Sequence, residues 1–453
     1  MSNSNIMKYS NIELMENAPV SRAVITLALP TMLGMIAQSV YNLTDTFFIG
    51  KTGDPNLVAA VSLAFPLFMI TQGIGSLFAV GSASYISRKL GEKDYEEARR
   101  ANSVTFYTTL GIGALMSLIM LVLKDKLLWA VGTSADTFKP TDEYFTVVVV
   151  GAVIMTQNVA MQGQVRSEGA NLHSMTGMML GIIINILLDP LFILVFDWGV
   201  RGAGWATVLG AFAACVYFVV YFRSKKTLLS LRFRDAKPNR VMYGEILKIG
   251  VPAGLSHIVM SLCAVINNIY AAGYGDHVVA AAGVTMRVCS LAFMLVMGIS
   301  TGFQPFAGYN YGAGNYERLK KGLKLTVLYA TCVSLFFALV FLVSRNRLIG
   351  IFIDDRITVE AGTKILLAMI VGMPFLGIQN TLTVTFQALG KSVRALIITM
   401  GRQCLFFIPL LLILNHYFGF NGYVFTQPLS DIATAAVSVV FAVTLFGKMR
   451  RVP

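Results

Sequence analysis

Two aspartates, Asp45 and Asp189, each stand inside a run of apolar residues long enough to cross a bilayer. A carboxylate in hydrocarbon is costly, so it is kept where it has a partner, a wet cavity or a task. Asn185 precedes Asp189 by one helical turn in NILLDP, and Thr207 lies at a similar depth in the next apolar run. Gln38, Tyr41, Asn42 and Asp45 recur at i, i+3, i+4 and i+7, one polar stripe along the helix that carries Asp45. Two carboxylates at one depth in a poorly solvated site can share a proton or hold a small cation such as sodium. Asn185 and Thr207 would complete the hydrogen bonding. The competing reading is that each aspartate is a satisfied structural group bound to backbone or to a neighbouring helix.

The second half of the chain repeats the pattern almost without acids. Asp45 lies fifteen residues after Pro30, and fifteen residues after Pro252 stands Asn267. KLGEKDYEEARR (89–100) corresponds to NYGAGNYERLKK (310–321), VRSEGA (165–170) to FQALGK (386–391), and GVRGAGWAT (199–207) to GFNGYVFTQ (419–427), at an offset drifting only from 222 to 220 residues. Matches in one order at one offset identify a duplicated unit. At that offset Asp189 is matched by Leu410 and Asn185 by Phe406, which confines the proposed coupling centre to the first half. Asp431, in TQPLSD, is the acid well inside a second-half span, and is expected to pair with Arg402 or Arg287. A place in the substrate path is the alternative for it.

These residues need helices to position them. The chain has 453 residues, 56% hydrophobic and 13% charged, with a mean hydropathy of +0.68, too apolar for a soluble globular protein. The composition predicts an all-α integral membrane protein. Twelve spans are read near 23–50, 56–87, 101–123, 143–166, 174–196, 203–223, 244–273, 278–308, 322–344, 362–387, 394–416 and 421–446. They divide into two pseudo-symmetric six-helix lobes, 23–223 and 244–446, with a basic linker at 224–243 that carries Pro238, a polar segment at 1–22 and a tail at 447–453. An even number of spans per unit makes the repeats parallel, the arrangement of alternating-access carriers. Pro30 inside the first span removes a backbone hydrogen bond where the polar stripe begins, so the helix can kink there.

Lys and Arg gather in RKLGEKDYEEARR, RSKKTLLSLRFRDAKPNR, YERLKKGLK and the KMRR tail, which places both termini in the cytoplasm. The formal charge of +13 is thus a topology signal, and no nucleic-acid partner is expected. Cys215, Cys263, Cys289, Cys332 and Cys404 all fall inside spans without a paired spacing, so neither a disulfide nor a metal site is expected. His257 is expected to pack or to hydrogen-bond between helices. The 22 methionines and 30 phenylalanines suit a wall for varied apolar ligands and lipid-facing helices equally.

The run ELMENAPV…LALPTMLGMIAQSVYNLTDTFFIGKTG, with RSEGAN, NILLDP, RGAGWAT and their degenerate counterparts, resembles the multidrug and toxic compound extrusion (MATE) family along essentially the whole chain. The opening segment looks most like its MepA-like bacterial branch. The resemblance implies a twelve-helix antiporter in a bacterial inner membrane, exporting amphipathic, often cationic drugs in exchange for H+ or Na+, with no cofactor and as a monomer. Carried over by motif, the cation-coupling centre is Asp45, Asn185, Asp189 and Thr207, and Gln38 and Tyr41, with Asn42 on the same stripe, border the drug pathway. Pro30 would be the bending point. Where many members carry asparagine four residues before the Arg of the RSEG motif, this chain has Gln162, with Asn158 as the alternative cavity residue. Spans seven and ten lack the acids of the second-lobe sodium site of another branch. A flippase for lipid-linked oligosaccharides or cell-wall precursors is the alternative within transport, but only Arg287 and Arg402 lie well inside spans to meet a pyrophosphate. An enzyme is not expected, because no nucleophile–base set, H-E-x-x-H or phosphate-binding loop occurs.

Overall fold

Hydrocarbon offers a backbone no hydrogen-bond partner, so a chain this apolar must satisfy its peptide groups within helices. The computed structural model describes residues 11–51, 54–352 and 355–449, excluding the side chains of 42, 43, 45, 46, 55, 67, 448 and 449. Within them the regular structure is helical, without strands. In chain order the helices are α1 (Asn11–Glu16), α2 (Val20–Gly50), α3 (Pro55–Gly91), α4 (Tyr95–Val122), α5 (Lys124–Ala130), α6 (Ala135–Ser167), α7 (Asn171–Pro190) and α8 (Gly199–Arg223). They continue with α9 (Arg240–Ala272), α10 (Asp276–Gly312), α11 (Tyr316–Gly350), α12 (Arg356–Ala388), α13 (Ser392–Met400) and α14 (Phe407–Met449). Short π-helical turns follow α7 at Leu191–Val195 and α13 at Gly401–Leu405.

Eleven stretches among the described residues are long and apolar enough to cross a membrane. The last of them, Ser392–Gly447, has 56 residues, about 84 Å as one straight helix and far more than a bilayer needs. It is not one helix. Gly419 has φ 55° and ψ −132°, and a Cβ at Gly422 would run into the Leu414 carbonyl, eight residues back, so the chain doubles on itself there. This hairpin accounts for the eleventh and twelfth spans read from the sequence. Most helices also run past the apolar spans, in some cases from a capped polar end: the Asp94 carboxylate accepts from the Glu97 N–H and starts α4 six residues before the span.

Packing divides the chain differently from sequence order. One compact unit holds residues 1–18 and 36–258, the other 19–35 and 259–453. The expected lobe limits, 23–223 and 244–446, therefore miss an exchange: the first half of α2 packs in the second unit and the first half of α9 in the first. Glycines make the grooves. In the second unit, a Cβ on Gly302 would lie 2.6 Å from the Ala28 Cα, and one on Gly298 2.7 Å from the Met32 Cα. In the first unit, a Cβ on Gly254 would lie 2.7 Å from the Gly73 carbonyl oxygen. Without a hydrophobic drive between helices in lipid, such close backbone approach supplies the dispersion contacts.

The duplication is visible in the backbone. Between α3 and α4 the turn places Lys93 at φ 61° and caps α4 with Asp94; between α10 and α11 it places Gly314 at φ 71° and caps α11 with Asn315. Gly169 and Gly390 repeat the same left-handed turn at φ 79° and 73°.

The linker is not a free tether. Arg99 Nε donates to the Leu228 carbonyl at 2.9 Å, Asn102 and Ser103 to the Ser230 carbonyl at 2.9 and 2.7 Å, and the Tyr107 hydroxyl to the Leu231 carbonyl at 2.9 Å, strapping it along α4. α1 docks as well, burying Leu14 and Met15, with the Met15 side chain against Gly169.

If the glycine groove holds the first half of α2, Gly302→Val lowers stability by about 1–3 kcal/mol, read as a lower thermal midpoint in detergent. Gly283→Ala, with open space around it, leaves the midpoint unchanged or higher. An unchanged midpoint for Gly302→Val would remove the groove as the explanation.

Candidate functional site

Four of the residues singled out by chemistry lie together in the first unit. Gly181 on α7 and Gly210 on α8 let the two backbones touch: a Cβ on Gly210 would sit 2.6 Å from the Gly181 carbonyl oxygen. One turn beyond that crossing, Asn185 Nδ2 donates to Thr207 Oγ1 at 3.4 Å, and the Tyr41 hydroxyl on α2 lies 3.3 Å from the same oxygen. Asp189, one turn further along α7, is fully buried, and Asn185 is 2% exposed. Among the described residues nothing donates to the buried Asn185 Oδ1. A buried acceptor without a donor costs about 1–3 kcal/mol, and here it lies beside a buried acid. Pro190 follows Asp189 at once, and the π-helical turn begins at Leu191, so the helix that carries the acid is locally rewound.

The remaining expected residues are placed as follows. Gln38 is partly buried on α2, one turn before Asn42. Asp45 and Asn42 belong to α2, but their side chains lie outside the described residues. Asn158 and Gln162 share one face of α6, and Gln162 Nε2 donates to Asn158 Oδ1 at 3.4 Å. Pro30 lies in the half of α2 that packs in the second unit. His257 makes the helix-to-helix bond expected of it, with Ser76 Oγ at 2.9 Å.

In the second unit Asp431 pairs with Arg402, at 2.9 Å from Nε, and not with Arg287, which is exposed. Its Oδ1 also accepts from Gln379 Nε2 at 3.2 Å and Gln427 Nε2 at 3.3 Å. Gln427, four residues before Asp431 on one helix, could have been read from spacing. Gln379, from another helix, could not.

Glu168, at the end of α6, was missed altogether. It accepts from the Tyr221 hydroxyl at 2.6 Å, from the Thr227 hydroxyl at 2.8 and 3.0 Å and from the Leu228 N–H at 3.1 Å, and so ties the linker to α6 and α8. Burial pushes its carboxyl up to about 7, against the downward pull of those hydrogen bonds. Its place in RSEG marks a glycine turn, but only the fold brings Tyr221 and the linker to it.

The family model described as MatE matches the chain twice, over residues 30–191 and 252–413. The two copies open on Pro30 and Pro252, the residues that frame the acid asymmetry. The chain is 31% identical over 442 residues to the multidrug export protein MepA of Staphylococcus aureus, covering 96% of each. It is 29% identical, with the same coverage, to the protein of that name from Staphylococcus saprophyticus. Its fold matches that of a solved multidrug resistance MATE family transporter in an outward-facing conformation, with a TM-score of 0.92, 26% identity, and coverage of 98% of this chain and 99% of that one.

The Glu168 clasp sets a pH dependence. A carboxyl raised from 4.5 to about 7 binds its proton more tightly in the folded state. Its contribution to stability is full below the unfolded value of 4.5 and is lost as pH rises through about 7. The thermal midpoint should therefore fall between about pH 5 and about pH 8, and Glu168→Gln should flatten that fall. An equally steep fall in the variant would place the titration elsewhere.

Proposed function

This chain belongs to the MatE family of transporters, and from that premise we propose that it is a multidrug efflux antiporter, exchanging H+ or Na+ for amphipathic, often cationic compounds by alternating access. Export of drugs is what the likeness to a multidrug export protein over 96% of the chain supports. The coupling is carried by a single observation. Asp189 is fully buried in a membrane span, with the unfilled Asn185 Oδ1 one turn away and Thr207 joined to both Asn185 and Tyr41.

The ion exchanged at such a place would be a proton, or a cation that also takes oxygen ligands from Asn185 and Thr207. Asp45, four residues beyond Tyr41 on α2, is assigned to the same centre. Loading of the cation from outside would favour release of drug and return of the carrier, and its loss inside would restore the form that takes up drug. Gln38, Tyr41 and Asn42, with Asn158 and Gln162, are assigned to the drug path. Pro30 is assigned as the hinge of α2, because that helix is split between the two units near residue 35. Both termini are assigned to the cytoplasm by the basic loops, and the chain is taken to act as a monomer.

The expected outcome is that Asp45→Asn and Asp189→Asn each abolish dye efflux while membrane levels stay as in the parent. Undiminished efflux in both variants refutes the coupling centre. Everted vesicles, energised first by a proton gradient alone and then by a sodium gradient alone, identify the coupling ion.

A further inference from the structure

The second unit carries an ionic group where the first has none. At the repeat offset Gly181 is matched by Arg402 and Gly210 by Ser430. The backbone crossing is kept, since Ser430 Oγ donates to the Arg402 carbonyl at 2.9 Å. What fills it has changed, from two glycines to an arginine whose side chain leaves the π-helical turn Gly401–Leu405. That guanidinium is fixed on two sides. Nε is spent on Asp431, and the planar group lies over the Phe293 ring at 4.7 Å from α10. Asp431 is itself held by Gln379 and Gln427.

This arrangement leaves Nη1 and Nη2 unused. Among the described residues no acceptor meets them, and the Arg402 side chain is 24% exposed where that of Asp431 is 5%. The open edge of the pair is thus the positive one. Gln379 is 2% exposed and its Oε1 is buried without a hydrogen bond, so an unfilled acceptor accompanies the unfilled donors. A charged group in a span faces the bundle interior or a wet cavity rather than lipid. A preoriented pair of parallel N–H donors matches a carboxylate in bidentate fashion.

We propose that Arg402, held by Asp431 and Phe293, is an anion-recognition site in the second unit that takes the carboxylate of zwitterionic or acidic amphiphiles. This rests on the export reading above and names the residue of the second unit that selects among the exported molecules. Arg402 would discriminate among exported molecules by whether they carry a carboxylate. The role is one of specificity, since a cation without a carboxylate has nothing to offer the guanidinium fork.

The test uses two probes that differ in one group: a cationic ethyl-ester rhodamine and the zwitterionic acid left when that ester is hydrolysed. In proteoliposomes with the full chain, the ratio of acid export to ester export should fall by about tenfold or more in Arg402→Gln/Asp431→Asn, which removes both charges together. It should fall in Arg402→Lys as well, where the charge remains but the fork is gone. A ratio unchanged in both variants overturns the site, even if both exports drop. Binding to the purified parent protein decides the matter if a variant fails to fold: the acid must bind about fivefold or more tightly than the ester, and equal binding overturns the site. A parent that exports the ester but not the acid also refutes it. A parent that exports neither refutes the export reading instead.

Discussion

A charge inside hydrocarbon must be answered, and the two halves of this chain answer in different ways. In the first unit Asp189 lies fully buried beside the Asn185–Thr207–Tyr41 group. In the second, Asp431 has a fixed partner of opposite sign and two amides on one oxygen. The acid of the second unit is thus answered by a fixed opposite charge, and that of the first lies among neutral polar groups.

Glycine is what allows these groups to be so close to a neighbouring helix. The crossing of Gly181 and Gly210 removes two side chains and so lets Asn185 reach Thr207 across the α7–α8 seam. The same seam in the second unit carries Arg402 and Ser430, and it is held by a hydroxyl-to-carbonyl bond in place of bare backbone contact. The site chemistry of each unit is thus set by which residues occupy one crossing whose geometry is shared.

Much of this was legible in the residues. Hydropathy alone dictated membrane helices, and the repeat offset exposed the duplication that the two MatE matches reproduce. Sequence does not choose between Arg402 and Arg287 for Asp431, because depth estimated along a span cannot say which way a helix turns its face. Depth alone does not say which of Asn158 and Gln162 faces a cavity either, and a spacing of four residues puts both on one side of α6. The exchange of half-helices was beyond reach. It depends on Gly298 and Gly302 forming a groove for Ala28 and Met32, and sequence shows glycines without showing what lies against them. Glu168 was hidden likewise, since its partners Tyr221, Thr227 and Leu228 stand more than fifty residues away.

What the two halves still share argues for the order in which constraints act on such a chain. Lys93 and Gly314 hold the same left-handed turn, and Asp94 and Asn315 cap the helix that follows it, although neither pair is identical. A lysine at positive φ is strained by about 1–2 kcal/mol relative to glycine, yet the turn is kept. A helix end that fails to close leaves backbone groups unsatisfied at the edge of the hydrocarbon, a cost incurred in every state of the carrier. A polar side chain inside a span is costly only in the states that leave it unpartnered. Backbone closure therefore tolerates little change between the repeats, while acids, glycines and the arginine at the seam were free to diverge, and that divergence is where the chemistry of each half is found.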